Sequence, residues 1–193
     1  MLSLKDRIKL LEHDLTATPP LISVYSDLPF AILRYEPREE PDLRREVALL
    51  AVRLERAGLS AHIISLAELL WESIEKSEGL DALVDLERTS GFPKAQAQVT
   101  GYLSDPDFCP LTDLLAERLG RLDHRKDVAL LVRVAAMAPA IYQMSALLEG
   151  MKGRTTVPSV LFYPGSLEGI FGLKFMDLAG QEPIGNYRVK IYG

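Results

Sequence analysis

The sequence predicts an α/β fold: a mostly parallel sheet of about five strands flanked by helices, in a nucleotide-binding-like three-layer architecture with a helical insertion between strands two and three. Two observations lead there. Short apolar runs suited to strands alternate along the chain with segments whose apolar residues recur at helical spacing. One such run, Asp127 to Val134, is apolar almost throughout, as expected where helices cover both faces of a sheet. Strands separated by helices are joined by crossovers, and crossovers make neighbouring strands parallel. The 193 residues suit one domain spanning residues 1–193, with no internal repeat and no linker long enough to divide it. A content of 48% hydrophobic and 25% charged residues excludes disordered and low-complexity classes.

Each element has its own signal. Leu4, Ile8, Leu11 and Leu15 form one helical stripe within a helix over 2–16, with Ser3 and Asp6 as a start signal and Thr18-Pro19-Pro20 as the stop. Phe30 to Tyr35 is the first strand, closed by Pro37. Leu43, Val47, Leu50 and Leu54 make the inward stripe of a helix from Asp42 to Ala57, ended by Gly58. Ala61 to Ile64 is the second strand. Ser65 and Glu68 then form a capping-box pattern, with Ile64 and Leu69 spaced as a hydrophobic staple. Residues 66–122 read as successive helices broken at Gly79, Gly91-Phe92-Pro93, Asp105-Pro106 and Gly120. The third strand is Asp127 to Val134. A helix from Pro139 to Leu148 and a fourth strand from Val157 to Tyr163 follow, the strand closed by a tight turn at Tyr163-Pro164-Gly165-Ser166. From Tyr187 to Tyr192, apolar residues alternate with Arg188 and Lys190, the pattern of an edge strand with one wet face.

The N-terminus mixes acids and bases from its first residues, and no apolar run reaches the length of a signal-peptide core or a membrane span. The single cysteine, Cys109, suits a reducing compartment. The expectation is a cytoplasmic protein. A net charge of −5 gives no global attraction to nucleic acid or to acidic membranes.

An open α/β sheet normally binds ligands beyond the carboxyl ends of its strands. A nucleotide site would place a glycine-rich loop after the first strand, where backbone N–H groups surround phosphate. Here that position reads Glu36-Pro37-Arg38-Glu39-Glu40-Pro41-Asp42, whose four carboxylates repel phosphate and whose two prolines remove donors. Gly150 to Thr156 imitates a phosphate loop, but Leu148 stands where its first glycine should be, Arg154 replaces its lysine, and it follows a helix instead of a strand. Ser166 cannot serve as a nucleophile elbow, because Pro164 and Glu168 occupy the glycine positions and His13, His62 and His124 all precede it. His62 reads as a core histidine and His124 as a loop residue. No metal-ligand spacing occurs, and no cofactor is implied.

Two features are left. Arg118, Arg121, Arg125 and Lys126 form a weak basic patch diluted by Asp123 and Asp127, so direct nucleic-acid binding is disfavoured. Arg34 and Arg133 each interrupt an apolar strand near its carboxyl end, where they would either form ion pairs, such as Arg34 with Glu36, or face a ligand crevice.

Taken in order, several segments resemble the BrxB-like family, the B component of BREX phage-defence systems. They are the amphipathic N-terminal helix, Pro29 to Pro37 with its strand ending in tyrosine, acid and proline, and Arg44-Arg45 opening the next helix. Ile63-Ile64-Ser65-Leu66, Val157 to Gly165 and Asn186-Tyr187-Arg188 complete the set. Ala135-Ala136-Met137-Ala138-Pro139 and Gln143-Met144-Ser145 depart from the family pattern, which has a more glycine-rich turn and often Arg-Ser-His. The resemblance implies a non-catalytic core component of such a system, encoded beside a large ATPase, a DNA methyltransferase and a phosphatase-fold protein. It also implies an adaptor role toward another core protein, the phosphatase-fold protein first and the ATPase or methyltransferase otherwise. The expected partner-binding rim is Arg34, Tyr35, Tyr163, Pro164 and Gly165, since exposed aromatic and arginine side chains are common interface anchors. The alternatives are a nucleotide-sensing or hydrolytic enzyme with an unrecognised site, or an accessory DNA-contacting subunit.

Overall fold

The computed structural model describes residues 2–22, 27–139, 141–169, 172–179 and 187–193. Helix α1 (Leu4–Thr16) begins where Ser3 Oγ accepts the Asp6 N–H, and its predicted leucine and isoleucine stripe is buried. Strand β1 (Phe30–Tyr35) is buried at every position. A short 3₁₀ turn over Pro37–Glu39 leads into α2 (Glu40–Arg56), which buries Leu43, Val47, Leu50 and Leu54. Strand β2 (Ser60–Ser65) passes directly into α3 (Leu66–Ser77), where Ser65 Oγ accepts the Glu68 N–H.

The insertion comprises α3, α4 (Gly79–Ser90), α5 (Phe92–Ser104) and α6 (Leu111–Leu119), broken where the sequence indicates. Helices α3 and α6 lie on the sheet and supply Leu66, Leu69, Leu111, Leu114, Leu115 and Leu119 to the core. Helix α4 buries no residue and packs chiefly on α5. Strand β3 (Asp127–Val132), helix α7 (Met144–Met151), strands β4 (Ser159–Glu168) and β5 (Gly172–Phe175), and β6 (Lys190–Tyr192) complete the chain.

Five strands run in the order β2-β3-β4-β1-β6, all parallel, and β5 pairs antiparallel with the far end of β4. Successive residues of each strand enter opposite layers. Phe30, Ile32, Ala129, Leu131 and Leu161 meet α3, α6 and α7, whereas Ala31, Leu33, Val128, Leu130, Val160 and Phe162 meet α1 and α2. The crossover from β1 to β2 travels one way across the sheet with α2 on one face. The crossovers from β2 to β3 and from β3 to β4 travel back with their helices on the other face, as right-handed connections require.

Four boundaries differ from the sequence reading. Strand β3 stops at Val132, because Arg133 adopts the left-handed region (φ 62°) and turns the chain into a 3₁₀ segment, Val134–Met137, that buries Val134 and Met137. The helix expected over 139–148 is instead α7, which starts after extended Gln143 and follows the buried series Met144, Leu147, Leu148 and Met151. Pro164-Gly165 does not close the fourth strand; Gly165 lets it continue into a hairpin with β5. The final strand is shorter than expected, though it is an edge strand as predicted. Asn186 lies outside the described residues.

Candidate functional site

The carboxyl ends of the parallel strands are the place to look for a ligand, and the protein fills much of that place itself. After β1, Glu36 and Glu39 cap each other: Glu39 Oε2 accepts the Glu36 N–H at 2.9 Å while the Glu36 carboxylate accepts the Glu39 N–H. The four carboxylates of this loop are engaged locally. Glu36 pairs with Arg38 at 2.7 Å, Asp42 with Arg45 at 2.7 Å and Glu40 with Arg44 at 3.0 Å. Glu39 meets Arg7 at 3.3 Å. The Tyr35 hydroxyl also donates to Glu40, and burial, reinforced by that carboxylate, pushes the phenol well above its ordinary range.

Arg7 reaches across from α1 and donates through Nη1 to the Arg34 carbonyl at 2.6 Å. Only 3% of Arg7 is exposed. Burial lowers its pKa, nearby Arg34 lowers it further, and Glu39 opposes both. Arg34 is 2% exposed and donates through Nη1 to the Gly165 carbonyl at 3.3 Å, tying β1 to the start of the β4–β5 hairpin. Arg34 does not pair with Glu36, whose ionic partner is Arg38. Tyr163 is enclosed by Phe175 and Tyr187, with ring centroids at 5.7 and 5.9 Å in edge-on geometry, and the Tyr187 hydroxyl donates to Tyr163 at 3.4 Å. Burial raises the Tyr163 phenol far above its ordinary value.

The expected rim of accessible anchors is therefore corrected. Arg34, Tyr35, Tyr163, Pro164 and Gly165 are all buried. The physical reason is the hairpin: Pro164 accepts the Met176 N–H at 2.9 Å, and β5 brings Leu173 and Phe175 into the core beside Tyr163. An open cleft of about 290 Å³ remains beside them, between α2 and the ends of β2 and β3. Glu40, Arg44, Glu68 and Arg133 line it. Of the two strand-end arginines, only Arg133 reaches solvent there.

The other candidates fall apart in space. Arg118 binds Glu72 at 2.6 Å, Glu72 also holds Lys76 at 2.8 Å, and Arg121 pairs with Glu117. Arg125 and Lys126 are exposed in the loop before β3, near Asp123. In the loop resembling a phosphate cradle, Lys152 and Arg154 engage Asp27 (3.5 Å) and Asp113 (2.7 Å). His62 is no core residue: β2 is an edge strand, the imidazole is part-exposed, and its Nε2 lies 3.3 Å from Asp127. Hydrogen bonding from the Asp123 N–H, aided by His62, holds the Asp127 carboxyl below its ordinary range. Among the described residues no group of three or more His, Cys, Asp or Glu side chains could hold a metal ion.

One feature escapes sequence reasoning. Trp71 of α3 and Phe92 of α5 are 53% and 62% exposed, and they flank an apolar groove of about 260 Å³ between α3, α4, α5 and the residues Ala138, Pro139 and Ile141. The available signal was that Trp71, the chain's lone tryptophan, falls on a helix otherwise rich in acids.

Fold and site together define a class: a parallel α/β protein whose ligand end is filled at β1 and β4 by its own side chains, with an open cleft beside β2 and β3 and an apolar groove on its inserted helices. The chain belongs to the BrxB family, since the family described as BREX protein BrxB matches residues 62–191, from β2 through the insertion into β6. It is a component of a BREX phage-defence system. No curated protein and no solved structure matches the chain. No described helix is long and apolar enough to cross a membrane.

Proposed function

We propose that this protein is a non-catalytic adaptor within its BREX system, docking on another core component, with the phosphatase-fold protein as first partner and the ATPase or methyltransferase as the others. One observation carries the reading. The strand-end position where this architecture binds small ligands is taken up by Arg34, Tyr35, Tyr163 and the β4–β5 hairpin, while large apolar side chains are exposed on the insertion. In this reading Arg34, Tyr35, Tyr163, Pro164 and Gly165 form the framework of the domain and do not anchor a partner. Co-expression with the phosphatase-fold protein, followed by size-exclusion chromatography with light scattering, tests it. A stoichiometric complex is expected; separate peaks with every core protein would count against an adaptor.

A second reading draws on the open cleft beside Arg133, which leaves space for a small ligand at the carboxyl end of the sheet. A saturable rise in melting temperature with ATP, GTP or a divalent metal would favour a nucleotide-sensing or hydrolytic role, because native-state ligands stabilise by mass action. Contact with DNA has less support, since Arg118 and Arg121 are already matched by carboxylates.

A further inference from the structure

We propose that the groove between α3, α4 and α5 is the docking site for one amphipathic helix with a basic polar face, supplied by another BREX core protein; this rests on the adaptor reading and names the surface and partner chemistry it left open. The groove floor is apolar, built from Leu70 and Ile74 of α3, Leu83 of α4, Ala95 and Val99 of α5, and Ile141. Trp71 and Phe92 stand at its edge with more than half of their surface in water. Two large aromatic side chains flanking a concave apolar floor are unusual on a surface without a partner, and aromatic residues dominate the anchoring of interfaces. A helix laid in such a groove inserts side chains spaced three and four residues apart, and the 12 and 13 residues of α3 and α5 provide walls of matching length.

Charge selects the occupant. Residues 66–104 carry seven carboxylates and three basic side chains, which is most of the chain's net charge of −5. Glu87 lines the groove. Glu75 follows Trp71 by four residues and so stands on the same face of α3. Both are exposed, and neither forms an ion pair among the described residues, whereas Glu72 is held by Lys76 and Arg118. An acidic border on an apolar trough opposes an acidic or purely apolar ligand and favours lysine and arginine on the partner's polar face.

The test uses the full chain and the purified BREX core protein with which it co-elutes. Trp71→Ala/Phe92→Ala is expected to weaken that complex roughly tenfold or more, as truncation of interface anchors does. Glu75→Lys/Glu87→Lys is expected to weaken it too, by an effect that shrinks as ionic strength rises. Because all four side chains are exposed, each variant is expected to keep the wild-type circular dichroism melt, which separates lost contact from lost fold. A photo-crosslinking residue in place of Phe92 is expected to label a lysine- and arginine-bearing helix of the partner. Unchanged affinity in both variants, or a crosslink to a segment that is not a basic helix, would overturn the groove assignment and leave the adaptor reading standing. A wild-type chain that binds no core protein would overturn both. Concentration-dependent self-association lost in Trp71→Ala/Phe92→Ala would instead assign the groove to a second copy and overturn this proposal.

Discussion

Gly165 shows how much a single position can carry. Its φ of 146° is open to glycine, and an added Cβ would sit 2.0 Å from the Lys174 carbonyl oxygen, which belongs to the backbone of β5 and cannot swing aside. Gly165→Ala is expected to cost about 3 kcal/mol or more in urea unfolding, against about 1 kcal/mol for Gly169→Ala, where an added methyl meets nothing. Asp14 is a second case. Burial works against its charged form, yet Lys190 Nζ and the Tyr192 hydroxyl, each at 2.5 Å, outweigh that and hold its pKa below the ordinary 3.8. A carboxylate whose folded pKa is depressed stabilises above its unfolded value, and that contribution is lost as pH falls through the folded value. Asp14→Asn should therefore cost about 1 to 2 kcal/mol at neutral pH, and the gap from wild type should narrow as pH falls below the ordinary carboxylate range in paired thermal melts.

At the scale of elements, the ties between α1 and the sheet are polar as well as apolar. Arg7 bridges the Arg34 carbonyl and Glu39, so Arg7→Met would strip a buried carbonyl and a half-buried carboxylate of one donor at once. The expected loss is about 3 kcal/mol, visible as a lower urea midpoint with an unchanged slope. Helix α4 is the opposite case. It buries no residue, and its amides should exchange hydrogen faster than those of β1, β3 and β4 under native conditions. The four insertion helices were legible in the sequence because glycine and proline punctuate them locally. Hairpin β4–β5 was not, because it depends on a glycine backbone angle and on a later segment, and neither leaves a periodic trace. The same blind spot hid the fate of Arg34 and Tyr163. Their positions in the strands were readable, but what covers them was decided by a distant part of the chain.

For the molecule as a whole, the alternation of strand residues between two helical layers follows from runs of apolar residues and from the handedness of crossovers, both visible before any coordinates. The family was legible for a different reason: an ordered set of short segments extended over the whole chain, and the family match from residue 62 to 191 confirms its larger part. The proposed docking surface was the least legible feature. An exposed tryptophan and an exposed phenylalanine on amphipathic helices look, in one dimension, like two more core residues.

The sheet order also sets a timetable. Strand β1 pairs with β4 (Phe30 beside Ser159) and with β6 (Ala31 beside Lys190), both of which are synthesised after it. Its two edges stay unpaired while more than a hundred further residues are synthesised, a delay of roughly ten seconds at common elongation rates. Until then helices can cover its faces, but neither of its partner strands is there to satisfy its edges. A nascent chain stalled before Ser159 should be open to protease and bound by chaperones, and release of the full chain should end both.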